Sequence, residues 1–564
     1  EAASVAPAMP AAPASAVSEV APVAVGAREP SRTEELSPGI ILPATVPLAE
    51  SPPAAVLPAD APEAALTDST EVSAQAEDEV RTEDGPFFDV SGFYAFTAYS
   101  QNNFFLGKTA DRPTVGGVSD KDNYAIQIFR LTSEFARDDN LKAVLRTDLA
   151  QSIWGFDNNA RDAGLRGGFS NLFNRKGTNF QVHLDWAYVD YTVPDLQMNF
   201  KVGRMKHSLG NLLVLDQDND GIQIAKTWGP GTATFSWAKM SEGADSLSDF
   251  AAIGPGGLST EDATLWVGNY AHRTGTWTVN PFVAYYRDDG ASAGRAYIPN
   301  GLQYFRARFT PQLSSATVVG VAANGTSGPW TFKGELDVLT GNDDIANTNS
   351  GPNELTDVNN GDLRGYNVFL EAKTAFGPGT LGFDFGRGSG DDDPMSGAGN
   401  INKIRTNGFF FITEIWEDSI MPDEEGITPQ GLGSPGSRAY REFENTTLFQ
   451  VNYEWNISER LTYFASGTWM QATNPISAWF DTDGSGAIDP GELGAESSDD
   501  LGKELNMRMT WNLDRGLTWI FRGGAYWPGE GAGFLINGTR LHDRTAYELR
   551  TTLRFSFGGL RIGG

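Results

Sequence analysis

From Phe87 onward apolar and polar residues alternate in segments of about ten. A period of two puts successive side chains on opposite faces of a strand. Near the end of the chain Tyr547, Leu549, Leu553, Phe555 and Phe557 share one face, and Glu548, Arg550, Thr552, Arg554 and Ser556 share the other. The same reading sets Phe449, Val451, Tyr453 and Trp455 against Gln450, Asn452, Glu454 and Asn456. It sets Leu505, Met507, Met509 and Trp511 against Asn506, Arg508, Thr510 and Asn512, and Phe180, Val182, Leu184, Trp186 and Tyr188 against Gln181, His183 and Asp185.

Short and long connections take turns between these segments. Tight turns are expected at 137–140, 193–197, 228–231, 273–275, 376–379, 456–459 and 513–516, and long loops at 100–123, 155–178, 241–262, 341–363 and 473–502. Aromatic residues gather at segment ends, as in Tyr188 and Tyr191, Tyr285 and Tyr286, Trp455, and Tyr526 and Trp527, which suits interfacial girdles. A soluble sandwich would alternate too, but this parity of loops and girdles belongs to a barrel in a membrane. The expected fold is all-β: a transmembrane antiparallel β-barrel of about 18 strands with long extracellular loops. Strand starts are expected near 87, 124, 141, 179, 198, 221, 232, 263, 276, 314, 329, 364, 379, 445, 460, 503, 516 and 545. Even parity requires that the apolar stretch at 407–418 is not a barrel strand but part of a long excursion, 389–444, folded into the lumen or over the mouth. A barrel of this size encloses an aqueous channel unless loops plug it.

Composition divides the 564 residues in two. Residues 1–86 contain no Phe, Trp or Tyr and are rich in Ala, Pro, Ser, Val and Glu. Such a segment cannot bury enough apolar surface to offset chain entropy, so 1–86 is expected to be a disordered periplasmic tail and 87–564 the barrel. No run of eighteen apolar residues is present, so no helix can span a bilayer. A start at Glu1 rather than Met reads as a processed, exported chain. The formal net charge of −30 argues against a nucleic-acid partner, and the absence of cysteine excludes disulfides and thiolate chemistry.

Two segments carry a family resemblance. "FKVGRMKHSLGNLLVLDQDNDGIQI" at 200–224 resembles the strand–loop–strand of alginate-export-type and related outer-membrane porins, where a Gly-Arg pair ends one strand and an Asp-Gly starts the next. "LGKELNMRMTWNLDRGLTWIFRGGAYWPGEGAGF" at 501–534 resembles their penultimate hairpin. The resemblance implies an 18-stranded channel and, for the alginate exporter, an arginine-rich lumen for a polyanion. This chain departs from that pattern in its mixed inward-facing charges. Lys142, Arg146, Lys333, Lys373, Arg508, Arg550 and Arg554 stand among Asp148, Asp185, Glu335, Asp337, Glu371, Glu454 and Glu548.

One motif carries chemistry of its own. "DTDGSGAIDPGE" at 481–492 matches the twelve-residue EF-hand calcium loop. Asp481, Asp483 and Ser485 occupy positions one, three and five, and Gly486 supplies the turn at six. Ala487 offers its carbonyl, Asp489 stands at nine, and Glu492 can bind bidentately at twelve. The expectation is a Ca2+ staple between two strands; an acidic solvated loop is the alternative. "DQDNDG" at 216–221 opens in the same way but has Thr227 at position twelve, so an acidic loop tip is expected there, as at 388–394. The four histidines, His183, His207, His272 and His542, have no serine or carboxylate at a hydrolase spacing; His183 is expected in the lumen, and Arg204, Lys206 and His207 on an exposed loop rim.

These readings point away from an enzyme and toward a porin-like channel for passive diffusion of small polar solutes or ions in a bacterial outer membrane. The alternatives are an exporter of an acidic polysaccharide and a sheath around a partner such as a cytochrome. Expected partners are the lipid bilayer, the solutes, further copies of the chain in a homo-oligomer, and a periplasmic or cell-wall partner for the tail.

Overall fold

The computed structural model describes residues 85–107, 121–153, 182–241, 263–288, 315–343, 361–390, 402, 410, 412–420, 443–479 and 493–563. The Ala/Pro-rich segment expected to be disordered lies, but for its last two residues, outside them. The strands are β1 (Phe87–Asn102), β2 (Lys121–Asp138), β3 (Leu141–Ile153), β4 (Val182–Val193), β5 (Met198–Leu209), β6 (Leu215–Trp228), β7 (Gly231–Ser241), β8 (Ala263–Thr274) and β9 (Trp277–Asp288). They continue with β10 (Ser315–Ser327), β11 (Trp330–Asp343), β12 (Gly361–Phe376), β13 (Gly379–Gly388), β14 (Thr446–Ser458), β15 (Leu461–Trp479), β16 (Leu493–Asp514), β17 (Leu517–Pro528) and β18 (Ala546–Gly563). Every strand pairs antiparallel with its chain neighbours, and β1 pairs with β18, which closes one 18-stranded sheet into a barrel. Closure leaves no edge strand, so the wall's backbone polar groups pair between neighbouring strands.

Tight turns join the strands at one end. Gly229, Gly275, Gly328 and Gly377 each open a two-residue turn at positive φ, three of them followed by proline. That is the type II′ geometry whose twist matches the flanking strands. Between β2 and β3, Oδ1 of Asp138 instead accepts the N–H groups of Asn140 and Leu141. Both termini of the barrel lie at this end, because Phe87 pairs with Gly563 on one side and with Ala136 on the other. Residues 558–563 are therefore the last stretch of β18.

The two faces of the wall differ as alternation requires. On β18, Leu549 and Leu553 remain 55% and 40% exposed outside, while Glu548, Arg550 and Thr552 at the alternate positions are buried inside. Val319, Val338, Leu370 and Phe235 continue the apolar outer band on other strands. No helix among the described residues is long and apolar enough to cross a membrane; the crossing is made by strands.

Sixteen of the eighteen expected strand starts fall within three residues of the observed ones. The exceptions are β6, which begins at Leu215 rather than 221, and β16, which begins at Leu493 rather than 503. The loop expected at 473–502 is thus mostly the paired extension of β15 and β16. The face reading of 180–188 is also corrected over its described part, 184–188. A bulge opposite Arg146 and Thr147 resets the alternation, so Asp185 and Trp186 both point inward. The aromatic pairs split between the faces: Tyr191, Tyr285, Trp455 and Trp527 are exposed outside, whereas Tyr286 and Tyr526 are fully buried.

Candidate functional site

The lumen is the candidate site, and its charged side chains are sorted around the wall. Arginines cluster on the consecutive strands β16, β17, β18, β2 and β3, interrupted only by β1. Arg130 forks onto Asp148, with Nε to Oδ1 at 2.7 Å and Nη2 to Oδ2 at 2.9 Å. Arg146 is paired with Asp185 and stacks 3.4 Å over the ring of Trp186, whose Nε1 donates to Asp218 at 2.7 Å. Arg550 pairs with Glu548, which also accepts Nε2 of Gln101 at 2.8 Å. Arg550 lies 5.0 Å over Tyr99, Arg554 lies 4.2 Å over Phe93, and Arg508 lies 4.8 Å over Phe464. Planar guanidinium groups suit this double use, holding a carboxylate in plane and an aromatic ring out of plane.

On β11, β12 and β13 the balance reverses. Glu335, Asp337, Glu371 and Asp384 stand with only Lys333 and Lys373; Lys373 meets Glu371 at 2.8 Å, and Asp384 accepts Nδ2 of Asn452 at 2.5 Å. The arginines of the first arc are matched by carboxylates, so the excess of one sign on the lumen face lies on β11–β13. Between the arcs, β7–β10 are apolar on the inside as well. Leu265, Phe282, Ala284 and Val318 are buried there with Leu209 at the end of β5 and Val214 of the β5–β6 connection.

The excursion between β13 and β14 enters the lumen. Residues 412–420 end in a π-helical turn, Trp416–Ile420, braced by Glu417, which accepts the N–H groups of Ile412 and Thr413 at 2.9 Å. Glu504 of β16 accepts the N–H of Ile415 at 2.9 Å and that of Trp416 at 2.8 Å. Arg522 meets Glu414 at 3.2 Å, and Arg550 donates to the Glu414 carbonyl at 3.3 Å. Ile415, Trp416 and Ile420 join one apolar cluster with Phe104, Leu213, Tyr526 and Phe534. Phe534 belongs to α1 (Glu530–Asn537), in the β17–β18 connection. Four connections therefore meet at the loop end of the barrel. The stretch at 407–418 is no barrel strand, and its described part takes the inward of the two expected courses.

The loop expected to bind calcium, 481–492, with Asp481, Asp483, Ser485, Ala487, Asp489 and Glu492, lies outside the described residues. The described residues that flank it, Trp479 and Leu493, pair in the sheet. The acidic segment at 216–221 is not a loop tip but part of β6. Asp216 meets Lys206 at 2.8 Å, and Asp218 lies 3.6 Å from Arg146. Nor do Lys206 and His207 form an exposed rim, since His207 is buried. His183 stands in register with Asp148 in the sheet. Sequence reasoning missed Arg130, Arg522, Glu414 and Glu504. Arg130 shares its face with Ile126 and Ile128, and all three are buried inside.

Fold and lumen define a transmembrane β-barrel with a polar, ion-paired interior narrowed by its own connections. No family model matches the sequence, and no curated protein matches it. Solved outer-membrane porins of Pseudomonas are similar in structure. OccK8 (OprE) of Pseudomonas aeruginosa aligns with a TM-score of 0.44 at 12% identity, covering 84% of this chain and 98% of that one. A BenF-like porin from Pseudomonas fluorescens Pf-5 gives 0.44 at 12% over 84% and 99%, and OccK9 (OpdG) of Pseudomonas aeruginosa gives 0.46 at 12% over 84% and 98%. The barrel's own strand order and register define its architecture.

Proposed function

We propose that the protein is an outer-membrane channel for passive diffusion of small polar solutes and ions. The observation that carries this reading is the closed 18-stranded wall, apolar outside and lined inside by polar and ion-paired side chains. Charged groups that face one another across a lumen orient a dipolar solute as it passes, and they replace part of its hydration. The inward-folded segment 412–420 sets the width available, so small solutes are favoured over polymers. Export of an acidic polysaccharide calls for an arginine surface open to the polymer, whereas Arg130, Arg146, Arg522 and Arg550 are each met by a carboxylate. A sheath around a partner calls for an empty interior, and here the chain fills part of its own. Proteoliposome swelling with sugars and amino acids of graded size tests the reading. Swelling that falls steeply with solute size is expected, and none for any solute would refute it.

Within this reading the tight-turn end is periplasmic, and the tail preceding Phe87 emerges there. The acidic excess of the connections gives a modest cation preference, to be read from reversal potentials in a salt gradient. The loop 481–492 binds Ca2+ outside the cell, where a site with a dissociation constant on the order of 10⁻⁴–10⁻³ M would be filled.

A further inference from the structure

We propose that the outward face of β7, β8 and β9, at its loop-side edge, binds one anionic phospholipid of the surrounding bilayer. The inference rests on the barrel standing in a membrane, not on what passes through its lumen. Strand register sets the patch out in three rows. Lys239, Thr264 and Arg287 lie side by side nearest the loops. Trp237, Trp266 and Tyr285 form the next row, two residues closer to the tight turns. Phe235, Gly268 and Val283 form the row after that. Partners in register share a face, and every second residue of a strand returns to it, so all of these positions point the same way. That way is outward: Phe235, Val283, Tyr285 and Arg287 are exposed, whereas Ala238, Leu265, Ala284 and Tyr286 at the alternate positions are buried inside.

The rows match the layers of a lipid. The apolar row lies at the depth of acyl chains. Gly268 leaves a notch there between Phe235 and Val283, since a Cβ on it would meet only Cγ1 of Val283, at 3.6 Å. A chain segment can lie in that notch against both neighbours. The aromatic row suits the boundary between chains and headgroups. Trp266 and Tyr285 stack with ring centres 5.5 Å apart, which makes a flat shelf above the notch.

The row nearest the loops supplies the charge. Lys239 and Arg287 stand two strands apart, about 10 Å at the backbone. Their long side chains can lean along the surface and meet one phosphate above Thr264, whose hydroxyl is a further donor. Asp220 of β6 stands in register with Lys239 on its other side, so among the described residues the patch carries two positive charges against one negative. That sign is the reverse of the whole chain's net charge of −30, so it is placed and not inherited from composition. An anionic headgroup is attracted to such a surface, whereas a zwitterionic one brings its own ammonium group beside its phosphate.

The test uses the full chain in non-ionic detergent, titrated with phosphatidylglycerol and, separately, with phosphatidylcholine of the same acyl chains, the bound lipid being counted by native mass spectrometry. One phosphatidylglycerol per chain should be held roughly thirtyfold more tightly than phosphatidylcholine, about fivefold for each of two basic groups. The preference should shrink as NaCl is raised. Lys239→Gln together with Arg287→Gln should bring the two lipids to within about threefold of each other. Arg137→Gln, an exposed arginine at the tight-turn end, should leave the preference intact. Heat-modifiable migration on gels confirms the barrel in each variant. Should the double variant fail to assemble, the two single variants and the salt dependence of the unaltered chain supply the reading. Inorganic phosphate at the lipid's own concentration should not displace phosphatidylglycerol, because the notch and the aromatic shelf hold the rest of the molecule. Equal affinity for the two lipids, a preference that ignores salt or survives the double substitution, or full displacement by inorganic phosphate overturns the proposal.

Discussion

Glu504→Ala is the most informative single change, because one carboxylate holds the inserted segment by its backbone. Glu504 accepts N–H groups from Ile415 and Trp416 and one from the side chain of Asn506 at 2.7 Å. Alanine would strand two buried N–H groups, each at about 1–3 kcal/mol. The released segment recovers part of this from water, so a net loss of about 3 kcal/mol is expected for the docked state. At 1.4 kcal/mol per tenfold, the population of undocked segment rises roughly a hundredfold. The chain has no cysteine, so a single Ile420→Cys substitution reports on docking without background. The Ile420 side chain is fully buried in the docked state. Its thiol should react slowly with a water-soluble maleimide when Glu504 is present, and about a hundredfold faster in the Glu504→Ala background. Equal rates in the two backgrounds would show that apolar packing of Trp416 and Ile415, not the carboxylate, holds the segment.

Three further outcomes follow from the wall and the loop. Arg146→Ala leaves Asp185 and Asp218 buried with one partner fewer and should cost about 3–5 kcal/mol in urea-induced unfolding from detergent. Val319→Arg places a charge midway along β10 on the outer face and should cost about 2–4 kcal/mol when refolding into bilayers is followed, because that face meets lipid. Asp481→Ala with Glu492→Ala should abolish calcium-dependent protection of the loop at 481–492 from protease while leaving barrel assembly intact.

The strands were legible in the sequence wherever one face meets lipid, because lipid enforces alternation residue by residue. Tyr547 to Phe557 read correctly for that reason. Alternation failed where that constraint lapses. "LGAESSDDLG" at the start of β16 is polar and turn-like by propensity, yet it pairs with the extension of β15 beyond the apolar band. "DQDNDG" reads as a loop, but its carboxylates are held by Lys206, Arg146 and Trp186 in β6, contacts made across strands and invisible locally. The bulge at Asp185 has no local signal either; it turns Trp186 from an expected lipid-facing residue into the platform for Arg146. The excluded stretch at 407–418 was visible as an excess of apolar residues, but its dock on Glu504, about ninety positions away in sequence, was not.

Conductance of the purified protein in planar lipid bilayers tests the central claim most directly. Stepwise insertion with discrete current increments that scale with salt concentration is expected, with larger increments when Glu504→Ala loosens the segment at 412–420. A barrel that inserts and resists protease yet passes no current, with or without that substitution, would contradict the assignment of an open diffusion channel.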